Sequence, residues 1–237
     1  MLPATRFFDD ERYLRTARAE RRPAESAAGA RRAARLAGCP AGGAILDAGC
    51  GEGRNAFPLA REGYRVVGLD RSRALLEAVP RHAGLRLVCG SYEAMPFRNS
   101  TFDAVLLLGT ALGYSGNAAD RQALREIRRV LAPGGSVVIE TLHRDEIGGA
   151  LPQHEECELP GGDTVCFDRD FDRWTSVLHE SQRLNGGPVL DYELRVYRPT
   201  ELARMVEDAG FEIQTAESSP VTPLVLVAGA AGRPSPP

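Results

Sequence analysis

Three glycines at every second position follow a short apolar segment in residues 45–55, which read ILDAGCGEGRN. The glycines are Gly49, Gly51 and Gly53, and an acid, Asp47, stands two residues before the first of them. Glycines let a backbone approach a ligand closely, and free N–H groups at the start of a following helix can bind an anion such as an amino-acid carboxylate. The segment therefore predicts a ligand-binding turn between a buried strand and a helix.

Three interpretations of this turn compete: a tight turn without a ligand, a dinucleotide fingerprint, and the loop that holds S-adenosylmethionine. The dinucleotide pattern G-x-G-x-x-G would need a third glycine at residue 54, which is Arg54. A second apolar segment, RVVGLD, ends at Asp70, where a carboxylate suits both hydroxyls of an unphosphorylated ribose. The glycine spacing excludes the dinucleotide pattern, whereas the acid alone is common to both nucleotide classes.

Strand and helix signals alternate along the first part of the chain. The predicted strands are 44–49, 65–70, 85–90, 102–109 and 136–142, and residues 120–131 place an apolar face on a helix. This alternation predicts right-handed βαβ units and an α/β fold. We expect a doubly wound, mostly parallel seven-stranded sheet with an N-terminal helical lid and an antiparallel β insertion after the fifth strand.

The pattern changes after residue 150, where Pro-Gly-Gly and Asn-Gly-Gly turns separate strand-like segments. The predicted organisation is a helical lid at 1–40, a core at 41–148, an insertion of three or four strands at 149–198 that caps the substrate, a C-terminal helix with two closing strands at 199–230, and a disordered tail at 231–237. Trp174, Phe167 and Phe171 are expected to form the core of the insertion rather than an aromatic cage for a substrate.

Composition narrows the class of protein. The net charge of −3 and the lack of a basic stripe disfavour nucleic acid, and no apolar run is long enough to span a membrane. The five cysteines lack dense spacing, which predicts reduced thiols in a cytoplasmic protein. No metal is expected, because His154, Cys157, Cys166 and His179 lack the short pairs of structural zinc sites.

Four stretches resemble the class I, Rossmann-like, S-adenosylmethionine-dependent methyltransferases of the small-molecule type. They are ILDAGCGEGRN, YRVVGLDRS, GSYEAMPFRNSTFDAVLLLG and REIRRVLAPGGSVVIETLHRD, which span residues 44–145 in the family's order and spacing. The segments FFDDERYLRT and VYRPTELARMVEDAGFEI are similar to the terminal parts of the same relatives. The resemblance implies S-adenosyl-L-methionine as the cofactor and S-adenosyl-L-homocysteine as its product.

The resemblance also implies roles for single residues. Asp47, Gly49, Gly51 and Gly53 would line the methionine end of the cofactor, and Asp70 would hold the ribose hydroxyls. The other implied contacts are Arg71 beside the adenine, Tyr92 and Glu93 at its edge, Leu108 and Gly109 under the methionine portion, and Tyr13 as a cover. Many relatives carry Asp where this chain has Ser91, so the contact to the adenine amino group is weaker, or falls to Glu93 or the backbone.

Candidates for the acceptor side follow the strands, because open α/β sheets build their sites at strand carboxyl ends. His143 is the candidate general base, or else a solvated loop histidine, and Tyr114 is a candidate for cation–π contact or for packing. Arg144 and Asp145 would orient a substrate or cap a turn. Arg195 and Tyr197 would bind a substrate carboxylate or simply cover an exposed strand face.

The predicted function is transfer of a methyl group from S-adenosylmethionine to a nitrogen or oxygen of a small molecule, in bacterial secondary metabolism. One alternative is an enzyme that binds the same cofactor for a non-methyl reaction such as cyclisation. Another is a non-catalytic scaffold with a degenerate cofactor site. The expected partner is a small-molecule acceptor, with no nucleic acid and no membrane, and the expected state is a monomer or homodimer.

Overall fold

A seven-stranded sheet forms the centre of the molecule. The computed structural model describes residues 7–19, 23–147, 151–219 and 222–230. The strands lie in the order β10-β11-β5-β4-β1-β2-β3, and their bounds are Ala44–Ala48 (β1), Arg65–Asp70 (β2), Leu85–Cys89 (β3), Phe102–Leu107 (β4), Leu131–Thr141 (β5), Phe211–Ser219 (β10) and Thr222–Ala230 (β11). Neighbours pair in parallel except β11, which runs antiparallel to both β5 and β10. The predicted fold class is confirmed.

Helices cover both faces of this sheet. Their bounds are Glu11–Ala19 (α1), Pro23–Leu36 (α2), Ala56–Arg61 (α3), Arg73–Glu77 (α4), Asn117–Val130 (α5) and Pro199–Asp208 (α6), with a short 3₁₀ turn at Arg144–Glu146. Helix α5 buries Ala123, Leu124, Ile127 and Val130, which are the face that the sequence predicts. Proline at the start of α2 and α6 suits the first turn of a helix, where its missing N–H costs nothing.

The central strands are apolar on both faces because both faces are covered. In β4, Val105 and Leu107 join one core cluster, whereas Ala104 and Leu106 join the cluster on the opposite face. All four side chains are fully buried. Such strands read as continuous apolar runs, which is why the sequence marks them so clearly.

A second sheet of four antiparallel strands lies between β5 and α6 in the chain. It has the order β6-β7-β8-β9, with bounds His154–Glu158, Thr164–Asp172, Val177–Leu184 and Leu190–Arg195. Phe167 is buried in it, but Trp174 lies in the turn between β7 and β8 and is 98% exposed. The prediction that Trp174 belongs to the core of the insertion is therefore wrong.

The segment before and within α1 is tied to both sheets. Ser72 donates to the carboxylate of Asp9 at 2.5 Å, which joins the segment to the end of β2. Arg12 donates to the carbonyl of Pro188 at 2.8 Å, and Arg15 pairs with Asp163, so α1 also contacts the second sheet. These bonds close one side of the space between the two sheets.

Two predicted features, the boundary between core and insertion and the C-terminal tail, fall outside the described residues. The predicted boundary between core and insertion lies at residues 148–150, and the predicted tail covers 231–237, and neither range is among the described residues. Within the described chain, no helix is both long enough and apolar enough to cross a bilayer.

Candidate active site

A cavity of about 510 Å³ lies at the carboxyl edge of the seven-stranded sheet. Its wall includes the glycine loop after β1, the ends of β2 and β4, residues 7–16 of the N-terminal segment, and side chains of β7, β8 and β9. Of the predicted site residues, the cavity is lined by Tyr13, Gly49, Asp70, Arg71, Tyr92, Leu108, Gly109 and Tyr114. The fold thus brings together residues that are more than 100 positions apart in the chain.

The glycine loop has the backbone that its sequence demands. Gly49, Gly51 and Gly53 have φ values of 79°, 52° and 72°. A Cβ atom on Gly53 would lie 2.7 Å from Val79, so the loop needs glycine there for space as well. The amides of Gly49 and Cys50 donate to Leu69, and that of Gly53 to Cys50. These amides are therefore not free for a ligand, contrary to the sequence prediction.

Asp70 connects the end of β2 to the glycine loop. Its two carboxylate oxygens accept from the backbone of Gly51 at 2.8 Å and of Ser72 at 2.9 Å. Burial raises the pKa of this carboxyl, while both backbone hydrogen bonds act in the opposite direction. The carboxylate is held in one orientation at the cavity wall, where its remaining lone pairs can accept hydrogen bonds from a ligand.

Asp47 lies behind the loop at the end of β1 and is 1% exposed. Among the described residues its Oδ2 atom has no hydrogen-bond partner. Burial raises the pKa of Asp47 to about 7, and the nearby Arg54 guanidinium only partly offsets this. Arg54, which sequence reasoning missed as a site residue, lines the cavity, and its guanidinium lies where a Cβ atom on Gly109 would be.

We expect Asp47→Asn to gain stability relative to the wild type as the pH rises. The folded pKa of Asp47 is raised from 3.8 to about 7, so folding binds a proton between these values. The stabilising contribution is complete below about pH 4 and is lost as the pH rises through about 7. Urea unfolding of both proteins at about pH 5 and about pH 8 measures the difference. A difference that does not change with pH would contradict the shifted pKa.

Arg71, Tyr92 and Glu93 form a small group beside the end of β3. The Arg71 guanidinium pairs with Glu93 at 3.3 Å and lies 5.8 Å from the centre of the Tyr92 ring. Tyr92 donates to the carbonyl of Ala111 at 2.8 Å, which holds its ring at the cavity wall. Ser91 accepts from the backbone of Glu93, and neither of the two lines the cavity.

The segment after β4 forms the floor of the cavity. Leu108, Gly109, Thr110 and Ala111 line it, and the backbone of Gly109 donates to Glu140 at 3.1 Å. Gly109 has a φ of 66°, so the chain turns sharply as it leaves the strand. Tyr13 lies on the opposite wall, packed against Phe7 at 4.8 Å between ring centres.

Aromatic side chains form the wall that faces the insertion. Tyr114 packs against Phe8 at 5.0 Å and against Tyr192 at 5.7 Å, and Phe7 packs against Tyr192 at 4.6 Å. Burial raises the pKa values of Tyr114 and Tyr192, so both remain neutral phenols at physiological pH. The structure thus places the predicted Tyr114 in the cavity together with rings that the sequence did not indicate.

Glu180 and Gln182 complete this wall, and sequence reasoning missed both. They lie on β8, are 7% and 5% exposed, and line the cavity. In β8 the side chains of Leu178, Glu180 and Gln182 alternate onto one buried face. A glutamate and a glutamine at positions where strand alternation calls for apolar residues are the signal that could have identified them.

His143, Arg144 and Asp145 do not line the cavity within the described chain. The Nδ1 atom of His143 accepts from the backbone of Asp145 at 3.2 Å and caps the 3₁₀ turn. Arg144 donates to Ser176 at 2.9 Å and to the carbonyl of Arg173 at 2.6 Å, so it holds the turn between β7 and β8. The side chain of His143, and not that of Arg144 or Asp145, caps this turn, so the capping predicted for those two residues is not what the structure shows.

Arg195 and Tyr197 lie at the other end of the insertion and also away from the cavity lining as described. Tyr197 is fully buried and donates to Asp120 at 2.5 Å, so it is not on an exposed strand face as one prediction had it. Arg195 donates to Thr175 and pairs with Glu201, each at 2.8 Å. The backbone N–H of Arg144 donates to the carbonyl of Tyr197 at 3.4 Å, so the two ends of the insertion meet.

The histidines that were considered as metal ligands form cross-strand pairs instead. His154 contacts Asp168 at 2.8 Å, and His179 contacts Glu193 at 3.2 Å. The thiol of Cys157 contacts Glu155 at 3.5 Å. Across the described ranges, no three groups of the metal-binding types converge on one point.

Comparison with known proteins indicates a methyltransferase. Residues 45–135 match the family model of a methyltransferase domain. Demethylmenaquinone methyltransferase of Corynebacterium kroppenstedtii is 36% identical over 95 residues, which are 40% of this chain and 40% of that protein. The match thus spans about two fifths of that relative's length.

Solved structures extend the likeness to most of the chain. The CcbJ methyltransferase of Streptomyces caelestis aligns with a TM-score of 0.76 at 23% identity, covering 88% of this chain and 90% of that one. CalS10, an amino pentose methyltransferase of Micromonospora echinaspora, aligns with a TM-score of 0.69 at 24% identity, covering 92% and 96%. At these identities the likeness establishes the fold.

The chain has the Rossmann-like fold of the class I, S-adenosylmethionine-dependent methyltransferases. Residues 45–135 are its methyltransferase domain. The predictions of a methyltransferase and of S-adenosylmethionine as its cofactor are confirmed at the level of this domain.

Proposed function

We propose that this protein transfers a methyl group from S-adenosylmethionine to a nitrogen or oxygen atom of a small molecule. The observation that carries the proposal is the cavity itself. It joins the glycine loop and Asp70 on one side to an aromatic wall on the other, so that a nucleoside and a second molecule have distinct surroundings.

The residues present fit the cofactor. The buried Oδ2 atom of Asp47 has no hydrogen-bond partner among the described residues, and Asp70 presents a fixed carboxylate at the cavity wall. Arg71 and Tyr92 offer flat groups beside Asp70 on which a purine can stack. We therefore assign Asp70 to the ribose hydroxyls, Arg71 and Tyr92 to the adenine, and Asp47 to the amino-acid end.

When bound, S-adenosylmethionine supplies an electrophilic methyl group and leaves as S-adenosylhomocysteine with the electron pair of the broken carbon–sulfur bond. The chain has to orient the acceptor and exclude water, and orientation alone contributes several kcal/mol, on the order of 7–11 in the best cases. Phe8, Tyr114 and Tyr192 serve both needs, because their rings close the far wall of the cavity.

The size of the acceptor follows from how far the cavity is enclosed. The N-terminal segment and the second sheet cover the cavity edge, which suits a small molecule rather than a polymer. CalS10, the amino pentose methyltransferase among the structural neighbours, is involved in calicheamicin biosynthesis, which supports a role in bacterial secondary metabolism. We further propose that residues 1–40 act as a lid, that 149–198 act as a substrate cap, and that the protein works in the cytoplasm as a monomer or homodimer.

The test combines binding and turnover. Isothermal titration with S-adenosylhomocysteine is expected to show binding in the micromolar range. Methyl-labelled S-adenosylmethionine, offered with a panel of amines, phenols and carboxylates, is expected to label at least one acceptor class. Failure of S-adenosylhomocysteine to bind would favour a scaffold, and binding with product formation but without label transfer would favour cyclisation.

A further inference from the structure

The aromatic wall of the cavity contains a single carboxylate, that of Glu180, among its described side chains. The rings around it belong to Phe8, Tyr114 and Tyr192, with centre-to-centre distances of 5.0 Å between the first two and 5.7 Å between the last two. Glu180 lines the cavity together with Tyr114 and Tyr192, and its charge is among those that raise the pKa values of both phenols.

Arg169 fixes the orientation of this carboxylate. Its Nε atom donates to Oε2 of Glu180 at 2.5 Å, and its Nη1 atom donates to Glu155 at 2.8 Å. The guanidinium also lies 4.8 Å from the centre of the Phe167 ring, so it is held from three sides. One guanidinium shared between two carboxylates leaves the group with a net negative charge, and only Glu180 of the two acids lines the cavity.

The charge beside the aromatic wall favours a cation. Glu180 lines the cavity there, and it shares its guanidinium partner, Arg169, with Glu155. A buried carboxylate with an incomplete counter-charge is costly, and a cationic ligand offsets that cost.

We propose that the acceptor is an amine, and that its positively charged nitrogen binds between the carboxylate of Glu180 and the rings of Tyr114 and Tyr192. The proposal rests on the methyl transfer proposed above and narrows it from nitrogen or oxygen to nitrogen. Carboxylates and tyrosine faces both attract ammonium ions, whereas a hydroxyl or phenol offers the carboxylate only a hydrogen bond and carries no positive charge for the rings to attract. Arg169 is a positioning residue in this arrangement.

The reaction balances with this acceptor. The ammonium nitrogen loses one proton to solvent, and its lone pair then forms the carbon–nitrogen bond as the carbon–sulfur bond breaks with its electrons on sulfur. The methylated nitrogen carries the positive charge after the transfer. Acceptor and product are therefore both cations in water, and the same wall suits both.

Matched ligands test the charge preference directly. Benzylamine and benzyl alcohol have nearly the same shape, and each is titrated into wild-type protein saturated with S-adenosylhomocysteine. We expect the amine to bind at least tenfold more tightly than the alcohol, and Glu180→Gln to remove about tenfold of the amine's affinity while changing that of the alcohol less than about twofold. S-adenosylhomocysteine binding should be unchanged in the variant.

Glu193→Gln is the control, because Glu193 lies on the neighbouring strand β9, pairs with His179 and does not line the cavity. It should leave amine affinity within about twofold of the wild type. The double variant Glu180→Gln, Gln182→Glu returns one negative charge to the same strand face and should recover part of the affinity. Thermal unfolding of each variant separates loss of binding from loss of folding.

Three results would each overturn the inference. The amine and the alcohol could bind equally well, benzylamine could fail to bind at millimolar concentration, or Glu180→Gln could weaken the binding of both ligands equally. Because the wild-type comparison needs no variant, poor folding of Glu180→Gln does not remove the test. Failure of the wild type to bind S-adenosylhomocysteine would instead count against the proposed function, so the two failures are distinguishable.

Discussion

Asp70→Asn is expected to weaken the binding of S-adenosylhomocysteine about a hundredfold. A carboxylate that accepts two ribose hydroxyls contributes roughly 1.5 kcal/mol or more for each charge-assisted bond, and 1.4 kcal/mol is a factor of ten. The two oxygens of Asp70 also accept from Gly51 and Ser72, so an amide at this position leaves one backbone N–H without its acceptor. The loop and the ligand contact are therefore disturbed together.

Isothermal titration measures the loss, and Asp103→Asn serves as its control. The carboxylate of Asp103, in β4, likewise accepts a hydrogen bond from a backbone N–H, that of Ala44 at the start of β1, at 2.8 Å, but Asp103 does not line the cavity. The Asp103→Asn variant should bind S-adenosylhomocysteine like the wild type. Undiminished affinity in Asp70→Asn, with the protein folded by thermal unfolding, would remove Asp70 from the cofactor site.

Gly113→Ala is expected to destabilise the protein by roughly 3 kcal/mol, because the new methyl group has no space and the backbone is strained. Gly113 has a φ of 107°, and its added Cβ would overlap the carbonyl oxygen of Arg195 and lie 2.7 Å from the side chain of Leu194. The backbone of Arg195 donates to Gly113 at 3.0 Å, so this close approach joins the segment after β4 to the insertion.

Gly116→Ala separates the effect of backbone strain from that of the missing space for a methyl group. Gly116 also has a positive φ, of 84°, but nothing lies within 4 Å of an added Cβ. It should cost roughly 1–2 kcal/mol from backbone strain alone, because a φ of 84° with a ψ of 167° is a conformation that essentially only glycine adopts. Urea unfolding of both variants gives the difference, and equal losses would show that the contact with Arg195 is not tight. Tyr114 lies between these glycines, so Gly113→Ala should also lower turnover.

The parts of the fold that the sequence predicted well are those whose side chains are buried on both faces or stopped by glycine. Ile45 and Leu46 in β1 and residues 104–107 in β4 are fully buried, and Gly49 and Gly109 stand one and two residues past the ends of these strands. Trp174 was misplaced because a tryptophan is expected inside, whereas its position in a turn leaves it without neighbours to cover it.

The side of the cavity next to the glycine loop was largely predictable, since Asp70 stands at a strand end and the family resemblance implied Arg71 and Tyr92. The facing wall was not, because Phe7, Glu180 and Tyr192 are brought together only by packing between distant segments. A strand end indicates the sheet edge but not the direction of a side chain. His143 follows β5 as predicted, yet its ring turns to Asp145.

The junction at Arg144 and Tyr197 makes the chain modular. Since these two backbones are already bonded, segments of different length can connect them without changing the order of the seven strands. Glu180, Gln182 and Tyr192 belong to the connecting segment, whereas Asp47 and Asp70 belong to the sheet that remains. If the proposed function holds, a foreign segment grafted at this junction would change the acceptor and keep the methyl donor.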